Sequence, residues 1–233
     1  MPMKYEDEEP DYRYERKFRT TGYAPKHIET LIKLHPAGFY EAYPERQNNS
    51  MYFDSPDYHR FLQNLDGERD RTKTRIRWYG PMTGLISSAT LEFKIKRGLL
   101  GYKERFKLEP FTIASPLDRR LLRKVVQAVD APPHLAMELR SVDMVLMLSY
   151  TRRYFLSRDG RFRLTMDTDQ HFCDIHRLSN TLLPATTYRS EIVLELKYGQ
   201  DADSDAGWVT NSFPLRVTKN SKYATGVDRV CIW

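Results

Sequence analysis

The sequence predicts an α+β domain in which about eight antiparallel β-strands close into a barrel and helices pack against its outer side. Three observations support this fold class. Several segments alternate apolar and charged residues with a period of two, which is the pattern of a strand with two different faces. Short glycine-containing turns join neighbouring segments, as in antiparallel hairpins. Other segments carry apolar residues at three- and four-residue spacing, which indicates amphipathic helices.

The predicted elements follow in chain order. Alternation predicts strands over residues 12–19, 49–54, 73–79, 90–97, 101–109, 147–157, 161–167 and 190–198. Hairpin turns are predicted at 98–101 and 158–160, where glycines occur. Prolines and capping residues predict helices over residues 24–33, 56–65, 115–129 and 221–229, and residues 201–207 are predicted to form a polar loop.

Composition and charge limit the classes of protein. The 233 residues carry a formal net charge of +6 and are 40% hydrophobic, which favours one folded, basic domain over a disordered or fibrous chain. We expect residues 1–11 to be an acidic flexible leader and residues 12–233 to form the domain. The sequence has 2 cysteines and no predicted signal peptide or membrane span. We therefore expect a cytoplasmic location and no disulfide framework.

One face of the predicted strands is cationic. The basic residues of this face include Lys17, Arg75, Arg77, Lys94, Lys103, Arg105, Lys107, Arg163 and Lys197. An ordinary sheet with a solvated face is the alternative interpretation. However, like charges at cross-strand spacing repel each other. A closed barrel would place these charges around a bound anion and its apolar faces under the helices.

The same face carries a few acids, namely Glu15, Glu92, Asp167 and Glu195. Arg and Lys suit phosphate oxygens, and a divalent cation can bridge a carboxylate and a phosphate. The combination predicts a metal-assisted polyphosphate site. Asp167 is equally well interpreted as the structural partner of a neighbouring arginine. A nucleic-acid groove is not expected, because the aromatic residues that would stack on bases lie on the opposite face.

Eight short motifs between Arg13 and Tyr223 together carry a family resemblance. They are YERKF at 14–18, YFDS at 52–55, RIRWY at 75–79, LEFK at 91–94, YTR at 150–152, RLTMD at 163–167, LELK at 194–197 and SKY at 221–223. In this order they resemble the motifs of the VTC polyphosphate polymerase domain. That domain belongs to the triphosphate tunnel metalloenzymes, which are related to the CYTH domains.

The resemblance implies a specific fold and activity. It implies an eight-stranded barrel whose basic tunnel binds triphosphate, and transfer of the γ-phosphate of ATP to a growing polyphosphate or pyrophosphate primer. Mn²⁺ or Mg²⁺ is the implied cofactor, held by Glu195 with Glu15 beside it. The implied catalytic residues are Lys17, Arg75, Arg77, Lys94 and Lys222, the last of which closes the site from the final helix. The implied substrate-binding residues are Lys103, Arg105, Lys107, Arg152, Arg163 and Lys197.

Several alternatives stay open at this point. Lys107 competes with Lys103, and Arg153 competes with Arg152, for the same motif position. Hydrolytic and cyclase relatives begin with two glutamates and a lysine at alternate positions, where this sequence has Arg13, Glu15 and Lys17. The arginine favours the polymerase branch. A metal-dependent triphosphatase and a polyphosphate-binding module without turnover are the other functions to be tested. A membrane-embedded partner protein is compatible with the resemblance.

Overall fold

Long antiparallel strands dominate the computed structural model, which describes residues 13–97, 100–175, 180–182, 186–188 and 191–231. The strands are β1 (Arg13–Thr21), β2 (Tyr40–Asp54), β3 (Arg71–Tyr79), β4 (Gly84–Ile86), β5 (Ala89–Arg97), β6 (Leu100–Leu108), β7 (Phe111–Ile113), β8 (Asp143–Leu156), β9 (Phe162–Asp174), β10 (Thr186–Tyr188) and β11 (Glu191–Gly199). The helices are α1 (Pro25–Lys33), α2 (His59–Leu65), α3 (Arg119–Gln127), α4 (Pro133–Ser141), α5 (Asp203–Asn211) and α6 (Lys222–Val230).

The main sheet follows the order β1-β11-β9-β8-β2-β3-β5-β6, with β10 paired to β9, and β4 pairs with β7 in a separate small sheet. All of these pairs are antiparallel, as the hairpin pattern predicts. Among the described residues, the end strands β1 and β6 do not pair through their backbones. A side-chain contact does span from one end strand to the strand next to the other end, because Lys94 Nζ on β5 lies 3.8 Å from Glu15 Oε2 on β1. The antiparallel sheet is therefore confirmed, while closure into a barrel is not.

The apolar faces of the strands lie under helices. Leu164 and Leu194 of the sheet are fully buried in one cluster with Ile28 of α1 and Val209 of α5. A second cluster joins β3 and β5 to α3, and a third places β8 and β9 under α6. Burial of these faces stabilises the fold by the hydrophobic effect. The polarity predicted from the sequence is confirmed: the apolar faces pack outward against helices.

The helices agree with the sequence in part. The segments predicted at 24–33 and 221–229 are confirmed as α1 and α6, and α2 and α3 are shorter than predicted. Helix α3 starts only at Arg119, because Asp118 caps it by accepting a hydrogen bond from the Leu121 N–H. None of the helices in the described part of the chain is long and apolar enough to cross a membrane.

The polar loop predicted at 201–207 is wrong. A 3₁₀ turn at Gln200–Ala202 leads into α5, whose Ala206 and Val209 are fully buried. Asp203 and Asp205 lie in the first turn, where carboxylates favour a helix by interacting with its dipole. The many polar residues of this segment are therefore the exposed side of a helix.

Three strands extend well beyond the segments that their alternation indicates. Strand β2 begins at Tyr40 rather than at residue 49, β8 begins at Asp143 rather than at residue 147, and β9 continues to Asp174. The first half of β2 is largely exposed and pairs with the end of β8. An exposed strand has no apolar face to mark it in the sequence. The predicted leader at 1–11 and residues 98–99 of the first predicted turn lie outside the described residues.

Helix α6 packs so closely on the sheet that its Gly226 has no room for a side chain. A Cβ atom there would lie 2.5 Å from Leu146 Cδ2 and 2.6 Å from Phe172 Cδ1. Gly226→Ala should lower the free energy of unfolding by about 1–3 kcal/mol through overpacking. Gly207→Ala in α5, where the space is open, should raise it by up to about 1 kcal/mol because Ala favours a helix. Urea unfolding of both variants checks this, and equal effects would contradict the packing argument.

Candidate functional site: a basic cavity inside the curved sheet

A cavity of about 160 Å³ lies against the charged face of the main sheet. Seven strands and the segment that begins α6 supply its lining, which contains nine basic and three acidic side chains. The basic side chains are Lys17, Lys73, Arg75, Arg77, Lys94, Lys103, Arg152, Lys197 and Lys222. The acidic ones are Glu15, Glu92 and Glu195. Such an excess of positive charge in a confined space attracts polyanions.

The alternation of side chains along strands places these groups together. Lys73, Arg75 and Arg77 are alternate residues of β3, and all three line the cavity. Between them, Ile76 is fully buried in the apolar layer on the other face, as is Trp78 next to Arg77. The same two-residue period that predicted the strand therefore separates the charged and apolar layers.

Strands β1 and β11 form a square of opposite charges. Lys17 lies opposite Glu195 and Glu15 lies opposite Lys197 in the register. Lys197 Nζ is 2.6 Å from Glu195 Oε1, and Lys17 Nζ is 3.5 Å from both Glu15 Oε2 and Glu195 Oε2. Burial favours the neutral carboxyl groups, but the surrounding lysines outweigh it and lower the pKa of Glu195 far below its usual range. The pKa of Glu15 is lowered as well, despite burial and the neighbouring Glu195.

These two ionised carboxylates have the chemistry to hold a divalent cation. Glu15 and Glu195 are diagonal neighbours on paired strands, and both line the cavity. Within the described ranges, no group of three or more His, Cys, Asp and Glu side chains could enclose a metal ion. Mg²⁺ is commonly held by one or two carboxylates, with phosphate oxygens and water completing its shell. The donor set fits that mode of binding.

Asp167 lies behind the cavity wall and is fully buried. Arg152 Nη2 donates to Asp167 Oδ2 at 2.7 Å, and Lys222 Nζ donates to the same oxygen. Burial opposes the charged form, but Arg152 and Lys222 together lower the pKa of Asp167. Asp167 is therefore the partner of an arginine, as one of the two interpretations predicted, and it also holds the lysine of α6.

The arginines of β3 are held by a carboxylate and two tyrosines. Arg75 donates to Glu92 Oε2 at 2.8 and 2.6 Å, and to the Tyr52 hydroxyl at 3.2 Å. Arg77 Nη2 donates to the Tyr150 hydroxyl at 3.1 Å. Burial favours the neutral tyrosine, but Arg152 and Arg77 lower the pKa of Tyr150. These contacts orient both guanidinium groups at the cavity.

Two buried donor atoms at the cavity have no acceptor among the described residues: Arg77 Nε and Asn220 Nδ2. Both side chains line the cavity. Buried donors are usually satisfied, because leaving one without a partner costs about 1–3 kcal/mol. Arg77 and Asn220 therefore keep unused hydrogen-bonding capacity beside the cavity.

The YFDS and SKY motifs meet at the start of α6. Asp54 accepts hydrogen bonds from the backbone N–H groups of Arg60 and Phe61, at 2.8 and 3.0 Å, and from the Tyr223 hydroxyl. The Tyr223 ring lies 5.1 Å from the ring of Tyr52. The end of β2 thereby fixes both α2 and the first turn of α6. This anchoring brings Lys222 to the cavity.

The structure brings most of the predicted site residues to one cavity. Those that line it are Glu15, Lys17, Arg75, Arg77, Lys94, Lys103, Arg152, Glu195, Lys197 and Lys222. Three others do not line it: Arg105, Lys107 and Arg163. The Arg105 side chain is 62% exposed, although its Nε lies 3.7 Å from Glu92 Oε1. The side chain of Arg13 lies outside the part of the chain whose side chains the structure describes.

The structure also shows where the competing basic residues of the sequence motifs lie. Arg153 points away from the cavity, where it pairs with Glu29 and, at 3.0 Å, with Glu41. Arg152 lines the cavity, as does Lys103 but not Lys107. Arg163 lines a neighbouring pocket of about 320 Å³ that shares Lys197 with the cavity. The functional roles of all these residues remain predictions.

Lys73 is a cavity residue that the sequence analysis missed. Its Nζ donates to Ser221 Oγ at 3.0 Å and to Asn64 Oδ1. Burial, together with the charges of Arg71 and Lys94, lowers the pKa of Lys73 to about 7. The signal was present in the sequence, because Lys73 shares the strand face of Arg75. It lies two residues before the RIRWY motif, so the family resemblance does not include it.

Comparison with known proteins agrees with this architecture. The family model described as the VTC domain matches residues 12–231. A Bacillus halodurans structure, provisionally named an adenylate cyclase, has a TM-score of 0.53 and 14% identity over 94% of this chain and 96% of that chain. A Hippeastrum protein, provisionally named an adenylyl cyclase and described as having a dominant triphosphatase activity, has a TM-score of 0.50 and 12% identity over 92% and 96%. No curated protein matches.

Asp167→Asn should destabilise the protein, because it leaves Arg152 and Lys222 without their buried counter-charge. We expect a loss of about 3 kcal/mol in the free energy of unfolding at pH 7, measured by urea denaturation. The folded pKa of Asp167 is lowered, so its contribution is complete at neutral pH and should shrink as the pH falls below about 4.

Asp159→Asn is the matched control for Asp167→Asn. Asp159 pairs with Arg161 at 2.8 Å, but both side chains are more than 40% exposed. Exposed pairs contribute little, so this variant should lose less than about 1 kcal/mol. Equal losses in the two variants would contradict the role assigned to Asp167.

Proposed function

The chain belongs to the VTC domain family, and we propose that it is an ATP-dependent polyphosphate polymerase that adds the γ-phosphate of ATP to a phosphate chain in its basic cavity. The observation that carries this proposal is the cavity lining of nine basic against three acidic side chains. The positive charge is spread over six strands and the start of α6, so it suits an extended polyanion better than a single small anion. Membership in the family agrees with that substrate class.

The proposed reaction requires electrostatic stabilisation of the transferring phosphoryl group and no general base. The end of a phosphate chain is already an anionic nucleophile, and the barrier lies in bringing anions together and in the charge of the transferring group. Arg75 and Arg77 present preoriented donors, because Glu92 and Tyr150 hold their guanidinium groups. Such donors cost no reorganisation when charge develops. The uncommitted Arg77 Nε is one further donor for a phosphate oxygen.

The lysines around the two glutamates can exchange partners when substrate binds. Lys17 and Lys197 contact carboxylates in the free protein, and phosphate oxygens are equivalent acceptors for an ammonium group. Glu195 and Glu15 would then be the residues that hold Mn²⁺ or Mg²⁺. A bound cation of this kind neutralises charge on phosphate oxygens. Lys222, held by Asp167, would contact the chain from the side of α6.

A triphosphatase is the second candidate function, because the same cations would bind triphosphate with water as the acceptor. The triphosphatase described for the Hippeastrum protein points in that direction, although the low identity limits that likeness to the fold. Arg13 stands where hydrolytic and cyclase relatives carry a metal-binding glutamate, which favours the polymerase. A polyphosphate-binding module without turnover is the third candidate.

The direct test incubates the purified protein with ATP and Mn²⁺, with and without pyrophosphate. Polymer is resolved on gels, and ADP and free phosphate are assayed in parallel. The proposal predicts long polyphosphate with an equal amount of ADP. Free phosphate without polymer would replace the polymerase by a triphosphatase. Binding of polyphosphate without any product would show a binding module.

Glu195→Gln should reduce metal-dependent turnover by at least about 100-fold, because the amide cannot replace the charge of a carboxylate at a divalent cation. The fold should be retained, which circular dichroism can check. Glu109→Gln, at an exposed glutamate just after β6 and outside the cavity, is the control and should keep full turnover. Normal turnover and normal Mn²⁺ dependence in Glu195→Gln would remove Glu195 from the site.

A further inference from the structure

Three lysines form an unbroken row across strands β3, β5 and β6. Lys73 lies directly opposite Lys94, and Lys94 lies directly opposite Lys103. All three line the cavity. Like charges at directly opposed positions destabilise a sheet. The neighbouring row does not share this defect, because there Glu92 separates Arg75 from Arg105.

Lys73 is the least solvent-exposed member of this row. Among the described residues neither Lys73 nor Lys103 has a carboxylate within ion-pair distance, whereas Lys94 reaches Glu15 at 3.8 Å. The charge of Glu15 also opposes the lowering of the pKa of Lys103, and no such acidic group acts on Lys73 to a comparable extent. The partners of its Nζ are the neutral side chains of Asn64 on α2 and Ser221 at the start of α6.

The charged groups that act most strongly on Lys73 are basic. They are Arg71 and Arg75 on its own strand, Lys94 on β5 and Lys17 on β1. Burial and these charges lower the pKa of Lys73 to about 7. The amine and ammonium forms of Lys73 therefore coexist at pH 7–8, and an anion bound beside the side chain favours the ammonium form.

We propose that Lys73 binds a phosphoryl group of a condensed phosphate or nucleotide, and that it takes up a proton from water as it does so. The inference rests on the proposed function, since it assumes the same class of ligand. The neutral amine gains one proton and becomes an ammonium group, and no covalent bond changes. Its place beside Ser221 puts this phosphate contact where α6 meets the cavity.

This linkage has a definite sign. An anion bound at Lys73 stabilises the ammonium form, so the anion raises the pKa of Lys73. Proton uptake then accompanies binding mainly between a pH of about 7 and the raised pKa of the bound state, and the contribution of Lys73 to affinity decreases as the pH rises through this range. A lysine that remained charged throughout would strengthen binding without any proton uptake.

Isothermal titration calorimetry with sodium tripolyphosphate and no divalent cation tests the proposal. Titrations at pH 8 in two buffers of different ionisation enthalpy count the protons taken up. We expect Lys73→Met to take up fewer protons than the wild type and to bind about tenfold more weakly, the loss of one charged hydrogen bond. Lys73→Arg, which keeps its charge at every pH used, should bind with wild-type affinity or tighter and with the reduced proton count.

Lys124→Met, at an exposed lysine of α3, is the matched control and should keep both the affinity and the proton count. The protonation of tripolyphosphate is common to all variants, so only differences between them are interpreted. An unchanged proton count in both Lys73 variants would overturn the proposal, as would absence of tripolyphosphate binding by the wild type. If Lys73→Met fails to fold, Lys73→Arg is sufficient for the test. Its proton uptake is then compared with that of the wild type.

The outcome is separable from the proposed function. Lysine-dependent proton uptake in a protein that makes no polyphosphate would leave this inference standing and overturn the polymerase. Polyphosphate synthesis by the protein, together with wild-type proton uptake in the Lys73 variants, would support the polymerase and overturn this inference.

Discussion

Repulsion among the basic side chains of the cavity is the constraint on which the rest of the structure depends. Nine of them share a space of about 160 Å³, and three lysines oppose each other directly across β3, β5 and β6. A few carboxylates reduce this repulsion by pairing with the basic side chains. Glu15 and Glu195 neutralise lysines of β1 and β11, Glu92 holds Arg75, and Asp167 holds Arg152. Apolar packing under the helices must stabilise what repulsion remains.

This balance explains why the site is built before any substrate arrives. The carboxylates keep the basic groups in place and charged, while the anchoring of Tyr223 by Asp54 holds the first turn of α6 over the cavity. A polyphosphate can then bind by replacing some carboxylate contacts, with little movement of the arginines. Lys73 differs from Lys17 and Lys197, because it has no carboxylate partner among the described residues and the strongest charges acting on it are basic.

The sequence was most informative where burial and charge alternate. Strand β3 and its inward Arg75 and Arg77 could be predicted, because Ile76 and Trp78 occupy the other face and alternate with the arginines. The exposed start of β2 and the polar helix α5 could not, since neither presents a clear apolar stripe. The exact membership of the site was also out of reach. Whether Arg105 lines the cavity depends on the curvature of the sheet, which strand parity does not specify.

A crystal structure of the protein with tripolyphosphate tests most directly whether the inward cationic face is a phosphate-binding site. The account predicts phosphate groups between β3 and β11, in contact with Arg77 and Lys17 and close to Lys222. Phosphates bound only at the exposed Arg105 or in the pocket beside Arg163, with the cavity free of ligand, would contradict it.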